Sequence, residues 1–444
     1  MNSRQLLKLP QGLISSLIAY PLAERIEKRE VRAKRNELRA YYSLPFEDRK
    51  KIAEQKLIDT IEFAATAIPY YQDLFKKMSF DINSLKKDIA YLNDIPLLTK
   101  DIIREQGDRL LLKPLNEVRH HVCKTGGSTG LSAHIFYDQP AADYSAAVTL
   151  FARESIGKKK YKFETHFACR FPDPEPPKWP SREDFKCFAM NRSNIFFDRI
   201  DDQGLEEVWQ SLRKTSPYLA HAHPSTIYAL ACYIEKSQGS AKAFDVFESS
   251  GELLEPYMRK TIAKALNCRV VDRYGLAELG VMAYELNNNG LQILDSEGWA
   301  ESRPLDSSPG DEELIFTGFR NHLMPLIRYC TGDMAKVEQR SDGFYLTNVV
   351  GRIHDMVPIN GVIYATHHIQ DMLDHRVGGI QEFQIDLRTE PPVLRIVLEA
   401  SANPEEIKNK IEGFWGQGFN VNFVGHEAFI RVGRHAKFRH VVTQ

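Results

Sequence analysis

A loop rich in glycine and hydroxyl side chains is the feature that most constrains the fold. Residues 124–132 read KTGGSTGLS and separate two strand-like runs, 121–123 and 133–137. These runs are predicted to form a β-hairpin around the loop. Glycine lets the backbone approach a ligand closely, while successive N–H groups and hydroxyls converge on phosphate oxygens. The loop is therefore predicted to bind an anion, with an ordinary turn as the alternative.

This loop differs from a Walker A loop, which ends in Gly-Lys-Ser/Thr and leads into a helix. Here Leu131 follows Gly130, and a strand-like run comes next. The loop alone therefore does not identify a nucleotide-binding fold.

Composition is typical of a multidomain enzyme. A chain of 444 residues with 43% apolar residues is too long for one compact core, so two or three domains are expected. The formal net charge of −1 gives no basic surface for nucleic acid. The cysteines form no Cys-x-x-Cys pair, which favours a reducing, cytoplasmic location. They are Cys123, Cys169, Cys187, Cys232, Cys268 and Cys330.

The N-terminal segment 12–23 is apolar and reads GLISSLIAYPLA. It is shorter than the ~20 residues of a membrane-spanning helix and lacks a small-residue cleavage site. No transmembrane segment is therefore expected. Docking of an amphipathic helix on the body of the protein and peripheral contact with a membrane surface both remain open.

Periodicity indicates an α/β protein. Residues 22–76 have helical spacing, and Thr99 is a predicted helix N-cap. Beyond them, predicted strands alternate with helices, which favours open sheets with ligands at the carboxyl ends of strands. The elements are strands at 218–222, 270–274 and 394–399 and helices at 225–236 and 404–414.

Five blocks in a fixed order carry a family resemblance. They are the loop at 124–132, RYGLAE at 273–278, RYCTGD at 328–333, Gly351-Arg352 and the late lysine Lys437. This order resembles the acyl-adenylate-forming ligase superfamily. Within it the chain looks most like the phenylacetate:CoA ligase branch, including relatives associated with capsule polysaccharide biosynthesis. The resemblance covers residues 90–444, and the supporting stretches are 247–254, 325–329 and 437–441.

The resemblance implies a large α/β domain of several subdomains followed by a small, mobile α+β domain. We expect a helical region at 1–90 packed on the body, an adenylation core at 91–352 and a lid at 353–444. ATP, Mg²⁺ and CoA are the expected cofactors. The expected partners are a small carboxylic acid and its acceptor, without nucleic acid, and the oligomeric state stays open.

The implied nucleotide site is spread over these blocks. Glu278 would hold Mg²⁺, Asp333 would bind both ribose hydroxyls, and Lys437 would reach the α-phosphate and the substrate carboxylate. Arg352, at the domain pivot, would also contact the nucleotide. The residues expected to bind phosphate or adenine are Thr125, Gly126, Gly127, Ser128, Thr129, Gly130, Ser250, Gly251, Glu252, Tyr274 and Gly275.

The substrate pocket is expected around His221–Ser225 and Ser249–Glu252, with His223 and Ser249 as lining residues. His223 could instead be a buried histidine hydrogen-bonded near the helix start. Some relatives carry a Cys/His zinc cluster after the glutamate block. Residues 283–290 contain neither cysteine nor histidine, so no zinc is expected.

Three reactions remain open at this stage. The first is formation of an acyl-CoA thioester, and the second is transfer of the acyl group to an amine such as an amino sugar or amino acid. A non-catalytic nucleotide-binding relative is the third, motivated by departures from the family pattern at Leu131, His354 and Ala436.

Overall fold

The computed structural model describes residues 3–124, 133–169, 181–197, 200–304, 312–350, 356–399, 401–425, 428–432, 437–438 and 440–443. Residues 125–130 and Arg352, for which nucleotide contacts are predicted, lie outside these ranges. Among the described residues, no helix is long and apolar enough to cross a lipid bilayer.

Helices dominate the first hundred residues, as the periodicity of 22–76 predicts. The predicted cap at Thr99 is confirmed, because its hydroxyl accepts the Ile102 N–H at the start of α8. A π-helical turn, Ser15–Ala19, connects the second and third helices. The helices are α1 (Ser3–Leu7), α2 (Leu9–Ile14), α3 (Tyr20–Ile26), α4 (Val31–Tyr42), α5 (Phe46–Ala67), α6 (Pro69–Lys77), α7 (Ile82–Lys87) and α8 (Lys100–Gln106).

The predicted hairpin is confirmed. Strands β1 (His120–Lys124) and β2 (His134–Asp138) pair antiparallel, with Cys123 opposite Ile135 and Lys124 opposite His134. The 125–132 segment that joins them is outside the described residues, but its two stems are fixed by this register.

A five-stranded parallel sheet follows the hairpin, with the order β4-β3-β5-β6-β7. The strand and helix predicted at 218–222 and 225–236 are confirmed. The strands are β3 (Glu164–Cys169), β4 (Arg192–Phe197), β5 (Leu219–Ala222), β6 (Val246–Ser249) and β7 (Arg269–Val271). The helices of this unit are α9 (Gln139–Ser155), α10 (Arg182–Met190), α11 (Asp202–Thr215), α12 (Pro224–Gln238) and α13 (Pro256–Ala265).

A seven-stranded antiparallel sheet lies beside the parallel one, in the order β11-β12-β13-β14-β10-β9-β8. The single strand predicted at 270–274 is wrong, because the chain leaves the parallel sheet at Asp272 and enters the antiparallel sheet as β8. The strands are β8 (Arg273–Leu276), β9 (Gly280–Tyr284), β10 (Leu291–Ile293), β11 (Gly298–Pro304), β12 (Glu312–Gly318), β13 (Tyr329–Arg340) and β14 (Gly343–Val350).

The C-terminal region is β-rich with two α-helices, and the strand and helix predicted at 394–399 and 404–414 are confirmed. A four-stranded sheet, β19-β18-β17-β22, encloses an apolar cluster drawn from residues 357–441. The elements are β15 (Met356–Ile359), β16 (Val362–Ala365), α14 (Thr366–Met372), β17 (Ile380–Asp386), β18 (Val393–Leu398), α15 (Pro404–Trp415), β19 (Asn420–Phe423), β20 (Arg431–Val432), β21 (Lys437–Phe438) and β22 (Val441–Val442).

Candidate active site

The junction between the two large sheets is built around Asp272. Its backbone N–H donates to Glu285 at 2.9 Å, and its carboxylate accepts from the Arg273 N–H at 2.9 Å and from the Ser249 hydroxyl. Burial raises the pKa of Asp272. Ser249 is itself fully buried, so the role the structure shows for its hydroxyl is to hold this junction.

Tyr274 and Asp333 meet just beyond that junction. The Tyr274 hydroxyl donates to Asp333 Oδ2 at 2.9 Å, although the two residues are 59 positions apart. Burial, and next the Asp333 carboxylate, raise the pKa of Tyr274 well above its ordinary value. The phenol therefore stays protonated and remains a hydrogen-bond donor at neutral pH.

Gly275 allows the backbone of β8 to approach the backbone of β9 closely. A Cβ atom there would lie 2.2 Å from the Gly280 carbonyl oxygen. The β8 to β9 turn that follows places Glu278 at its tip. Only glycine at position 275 therefore lets this turn close.

A second hydrogen bond between the motif blocks 273–278 and 328–333 holds Glu278. The Tyr329 hydroxyl donates to Glu278 Oε1 at 2.8 Å. Glu278 also lines a cavity together with Tyr137 of the hairpin and Arg320. Burial, and next the charge of Glu278, raise the pKa of Cys123 to about 12. The glutamate therefore lies near both stems of the glycine-rich loop.

The segment 250–252 depends on a glycine with positive φ. Gly251 has φ +82°, and a Cβ atom there would lie 2.4 Å from the His223 ring. The Glu252 carboxylate accepts from the backbone and hydroxyl of Ser225, at 2.9 and 2.8 Å. Its side chain thereby caps α12, a role that sequence reasoning did not assign.

His223 occupies the N-cap position of α12, and its ring is about one third exposed. Its Nδ1 lies 3.6 Å from Glu252 Oε1. The histidine thus lies beside the 250–252 segment, as the pocket prediction requires, and also near the helix start, as the alternative requires.

Lys124, the last residue before the undescribed loop, contacts the C-terminal region. Its Nζ donates to the Ile380 carbonyl at 2.5 Å and lies 3.7 Å from Asp374 and 3.8 Å from Glu399. The hairpin and the C-terminal sheet are therefore in direct contact in this arrangement.

Lys437 forms β21, whose backbone pairs with Val432 of β20. Its side chain lies outside the described part of the chain, as do Thr125–Gly130 and Arg352. The assignments of these residues stay predictions.

A buried ionic cluster behind Tyr274 was missed by sequence reasoning. Glu248 on β6 accepts both Arg153 Nε and Nη2 at 2.8 Å, and the Tyr284 hydroxyl also at 2.8 Å. Arg273 Nη1 lies 3.4 Å from the same carboxylate. Because Arg273 is the residue before Tyr274, this cluster fixes the start of β8.

The same cluster contains a second carboxylate and two histidines. Glu164 pairs with Lys158 at 2.7 Å and with Arg153 at 3.2 Å. His166 and His221 lie side by side on β3 and β5, with ring centroids 4.9 Å apart. Burial lowers the pKa of both, that of His166 to about 3, so both rings are neutral at pH 7.

Charge assignments follow from these shifts. Burial opposes ionisation of Glu248 and Glu164, but the neighbouring cations outweigh it and hold the pKa of each well below its ordinary value. Three cations, Arg153, Lys158 and Arg273, then face these two carboxylates. A charged residue inside an otherwise buried strand, as at Glu248, was the sequence signal that could have revealed the cluster.

Comparisons with known proteins identify the fold. No family model matches the chain. The solved structure of 2-hydroxyisobutyryl-CoA ligase, in a postadenylation state with R3-HIB-AMP, superposes over 90% of both chains with a TM-score of 0.54 and 18% identity. This chain has the adenylate-forming ligase fold. The family resemblance and the fold class predicted from the sequence are thereby confirmed.

Two curated proteins are similar to this chain in sequence. Protein CapK of Staphylococcus aureus is 27% identical over 303 residues, which make up 65% of this chain and 64% of CapK. Indoleacetate–lysine synthetase of Pseudomonas savastanoi is 26% identical over 171 residues, or 37% of this chain and 41% of the synthetase. The chain therefore spans less than two thirds of either relative.

Proposed function

We propose that the protein activates a carboxylic acid with ATP and then transfers the acyl group to coenzyme A. The observation that carries this proposal is the pair of hydrogen bonds from Tyr274 to Asp333 and from Tyr329 to Glu278. These bonds bring two distant motif blocks together beside the stems of the glycine-rich loop. One ATP molecule could contact all three.

The first half-reaction joins two anions. A carboxylate oxygen attacks the α-phosphorus of ATP, the bond to the β-phosphate breaks, and pyrophosphate leaves. Positive charge and hydrogen-bond donors must stabilise the charge that develops on the phosphate oxygens. The loop residues Thr125–Gly130 and Lys437 would supply them.

The remaining residues would position the nucleotide. Tyr274 would lie against adenine, and the backbone at 250–252 would close the opposite side. The Asp333 carboxylate accepts a hydrogen bond from Tyr274 and would also accept from the ribose hydroxyls, because a carboxylate has two oxygens with several lone pairs. Arg352 would contact the nucleotide from the pivot.

Magnesium fits this site through Glu278. Among the described residues, no group of three or more His, Cys, Asp or Glu side chains could hold a metal ion. Mg²⁺ commonly takes one or two carboxylates and completes its shell with phosphates and water. Glu278 would provide that carboxylate, and the bound ion would neutralise phosphate charge.

In the second half-reaction the thiolate of coenzyme A attacks the acyl carbon, and AMP leaves. The acyl group would lie near His223, beside Gly251. Withdrawal of Lys437 and rotation of the C-terminal region would open the acceptor path. The Lys124 contacts to Ile380, Asp374 and Glu399 would break in that rotation.

The test is ATP:pyrophosphate exchange measured across a panel of carboxylic acids. The proposal predicts exchange that depends on one class of acid, and thioester formation when CoA is added. Absence of exchange with every acid would favour the non-catalytic alternative. An Asp333→Ala variant with a normal circular dichroism spectrum is the matched control and should lose exchange.

Transfer to an amine is the second candidate, favoured by the sequence similarity to indoleacetate–lysine synthetase. The name of that protein describes the joining of an acid to an amino acid. The same panel separates the two candidates, because exchange would be unchanged but product would form with amino acids or amino sugars and not with CoA. An amino sugar is also a sensible member of the panel, because the motif blocks resemble relatives associated with capsule polysaccharide biosynthesis.

A further inference from the structure

The N-terminal helices are amphipathic, but their polar face is buried and their apolar face is exposed. From Ser3 to Ile26 the chain is almost continuously helical, through α1, α2, the π-turn and α3. At 1.5 Å per residue these 24 residues extend about 36 Å. The face packed against the protein carries small or polar groups, whereas the outward face carries leucine and isoleucine.

The inward face is bound tightly. Gln5 donates to the Asp245 carboxylate at 2.8 Å, and Gly12 packs so closely that a Cβ atom would lie 2.0 Å from the Tyr161 carbonyl. Ser15 is fully buried, and Tyr20 lies under Lys160 at 4.0 Å. The π-turn adds one residue between Ser15 and Tyr20 and keeps both on the buried face.

The outward face forms a ridge of large aliphatic side chains. Leu17 is 71% exposed, Ile18 62% and Ile26 71%. The ridge, defined here as the exposed side chains of this segment, consists of Leu6, Leu7, Leu13, Ile14, Leu17, Ile18, Leu22 and Ile26. Contiguous exposed apolar surface of this kind marks a contact with a membrane or another protein.

Helix α10 extends the ridge with aromatic side chains. It packs against the π-turn and α3, and Phe185 and Phe188 on it are 64% and 42% exposed. Arg182, at its start, lies 3.6 Å from Glu27 at the end of α3. The aliphatic ridge and the two phenylalanines therefore belong to one surface.

Basic side chains border this surface. Arg25, Lys28, Arg182 and Lys186 are exposed around its edge. The acidic side chains nearby that belong to the described residues are already engaged. Glu27 pairs with Arg182, Glu183 with Arg192 and Lys186, and Asp184 caps α10 through Ser181. An apolar ridge with a basic border matches the acyl chains and anionic headgroups of a lipid surface.

We propose that this ridge docks the protein on an anionic lipid surface, with the helix lying parallel to the membrane plane. The Gln5 and Gly12 contacts bind the helix to the body along its length, so the helix lies on the bilayer and does not cross it. A second protein copy fits less well, because protein interfaces draw their affinity from tryptophan, tyrosine and arginine anchors more than from leucine. The proposal does not depend on the activity proposed above.

The experiment is sedimentation of the full chain with phosphatidylcholine vesicles and with vesicles containing one quarter phosphatidylglycerol. The wild-type chain should bind the anionic vesicles. Leu17→Asp/Ile18→Asp should lower the partition coefficient by about 100-fold, since each fully buried aliphatic side chain is worth roughly tenfold or more. Arg25→Gln/Lys28→Gln should lower binding by about 25-fold on anionic vesicles only, since each basic side chain near the surface contributes about 1 kcal/mol.

A control is Tyr257→Asp, which places one aspartate at a half-exposed apolar side chain on α13, away from the ridge. It should bind as the wild type does. Each variant is compared by circular dichroism, and Leu17→Trp provides an independent readout through a blue shift of its fluorescence when vesicles are added. Wild-type protein that stays in the supernatant would overturn the proposal. A dimer that Leu17→Asp/Ile18→Asp converts to a monomer, without vesicle binding, would also overturn it in favour of a second copy.

Discussion

Replacing Glu248 with glutamine should lower the free energy of unfolding by about 3–5 kcal/mol, the cost of breaking a buried ion pair from one side. Glu248 is fully buried and accepts from Arg153 twice and from Tyr284, all at 2.8 Å, with His221 Nδ1 at 2.9 Å. Glutamine retains one acceptor oxygen and turns an N–H₂ group toward a guanidinium. The three cations of the cluster would then face Glu164 alone.

The assay is urea unfolding at pH 7.5, followed by circular dichroism and by tryptophan fluorescence, to which the buried Trp209 of the parallel-sheet unit contributes. Glu62→Gln is the matched control, because its carboxylate pairs with Lys86 and both side chains are about half-exposed. Such a pair contributes up to about 1 kcal/mol.

A double variant tests the charge argument itself. Arg153→Met combined with Glu248→Gln removes one cation and one anion, so the net charge of the cluster is unchanged. The loss should therefore be smaller than the sum of the two single losses by about 1–3 kcal/mol. A loss below 1 kcal/mol for Glu248→Gln, or strict additivity in the cycle, would refute the reasoning.

Four further predictions concern pH, the backbone and the proposed chemistry. The pKa of His166 is about 3 in the folded protein against 6.5 when unfolded, so the unfolded chain binds more protons as pH falls from 6.5 toward 3, and the free energy of unfolding declines. His166→Phe should reduce this decline between pH 7 and pH 5 by about 2 kcal/mol, measured by urea titrations at each pH. An unchanged decline would contradict the prediction. Gly251→Ala should raise the KM for ATP at least about tenfold, because residue 251 has a positive φ and the added Cβ atom would clash with the His223 ring. A wild-type KM would exclude tight packing there. Glu278→Gln should abolish Mg²⁺-dependent exchange with the fold intact by circular dichroism, and a wild-type rate would remove Glu278 from its role. Lys437→Ala should slow adenylation by about 10²–10³-fold but transfer from supplied acyl-adenylate far less, and equal losses in both steps would count against it.

Local signals were sufficient for the elements that frame the site. Strand-like runs on both sides of a glycine-rich loop predicted the β1–β2 hairpin, and a hydroxyl before a helical pattern predicted the Thr99 cap. The ordered blocks predicted that Tyr274 and Asp333 would share one site, and the structure joins them by a hydrogen bond. These features depend on short-range geometry or on motif order, both of which are visible in one sequence.

Features that depend on contacts between residues far apart in the sequence could not be predicted from the sequence. The change of sheet at Asp272 leaves the local strand pattern unaltered, because its cause is a hydrogen bond to Glu285 across the next hairpin. Arg153 and Glu248 are 95 residues apart, and nothing local pairs them. The N-terminal segment was described from the sequence as apolar, with an amphipathic helix left open. Only its packing on Asp245 and Tyr161 shows that its polar face is the buried one.

Oxygen transfer from the substrate acid to AMP tests the central claim most directly. The acid found in the exchange panel would be labelled with ¹⁸O in its carboxylate and converted with CoA or the accepted amine. Attack of that carboxylate on the α-phosphorus predicts AMP that carries one ¹⁸O atom, detected by mass spectrometry, and unlabelled pyrophosphate. Formation of ADP with the label in inorganic phosphate would contradict an acyl-adenylate intermediate and, with it, the proposed use of this site.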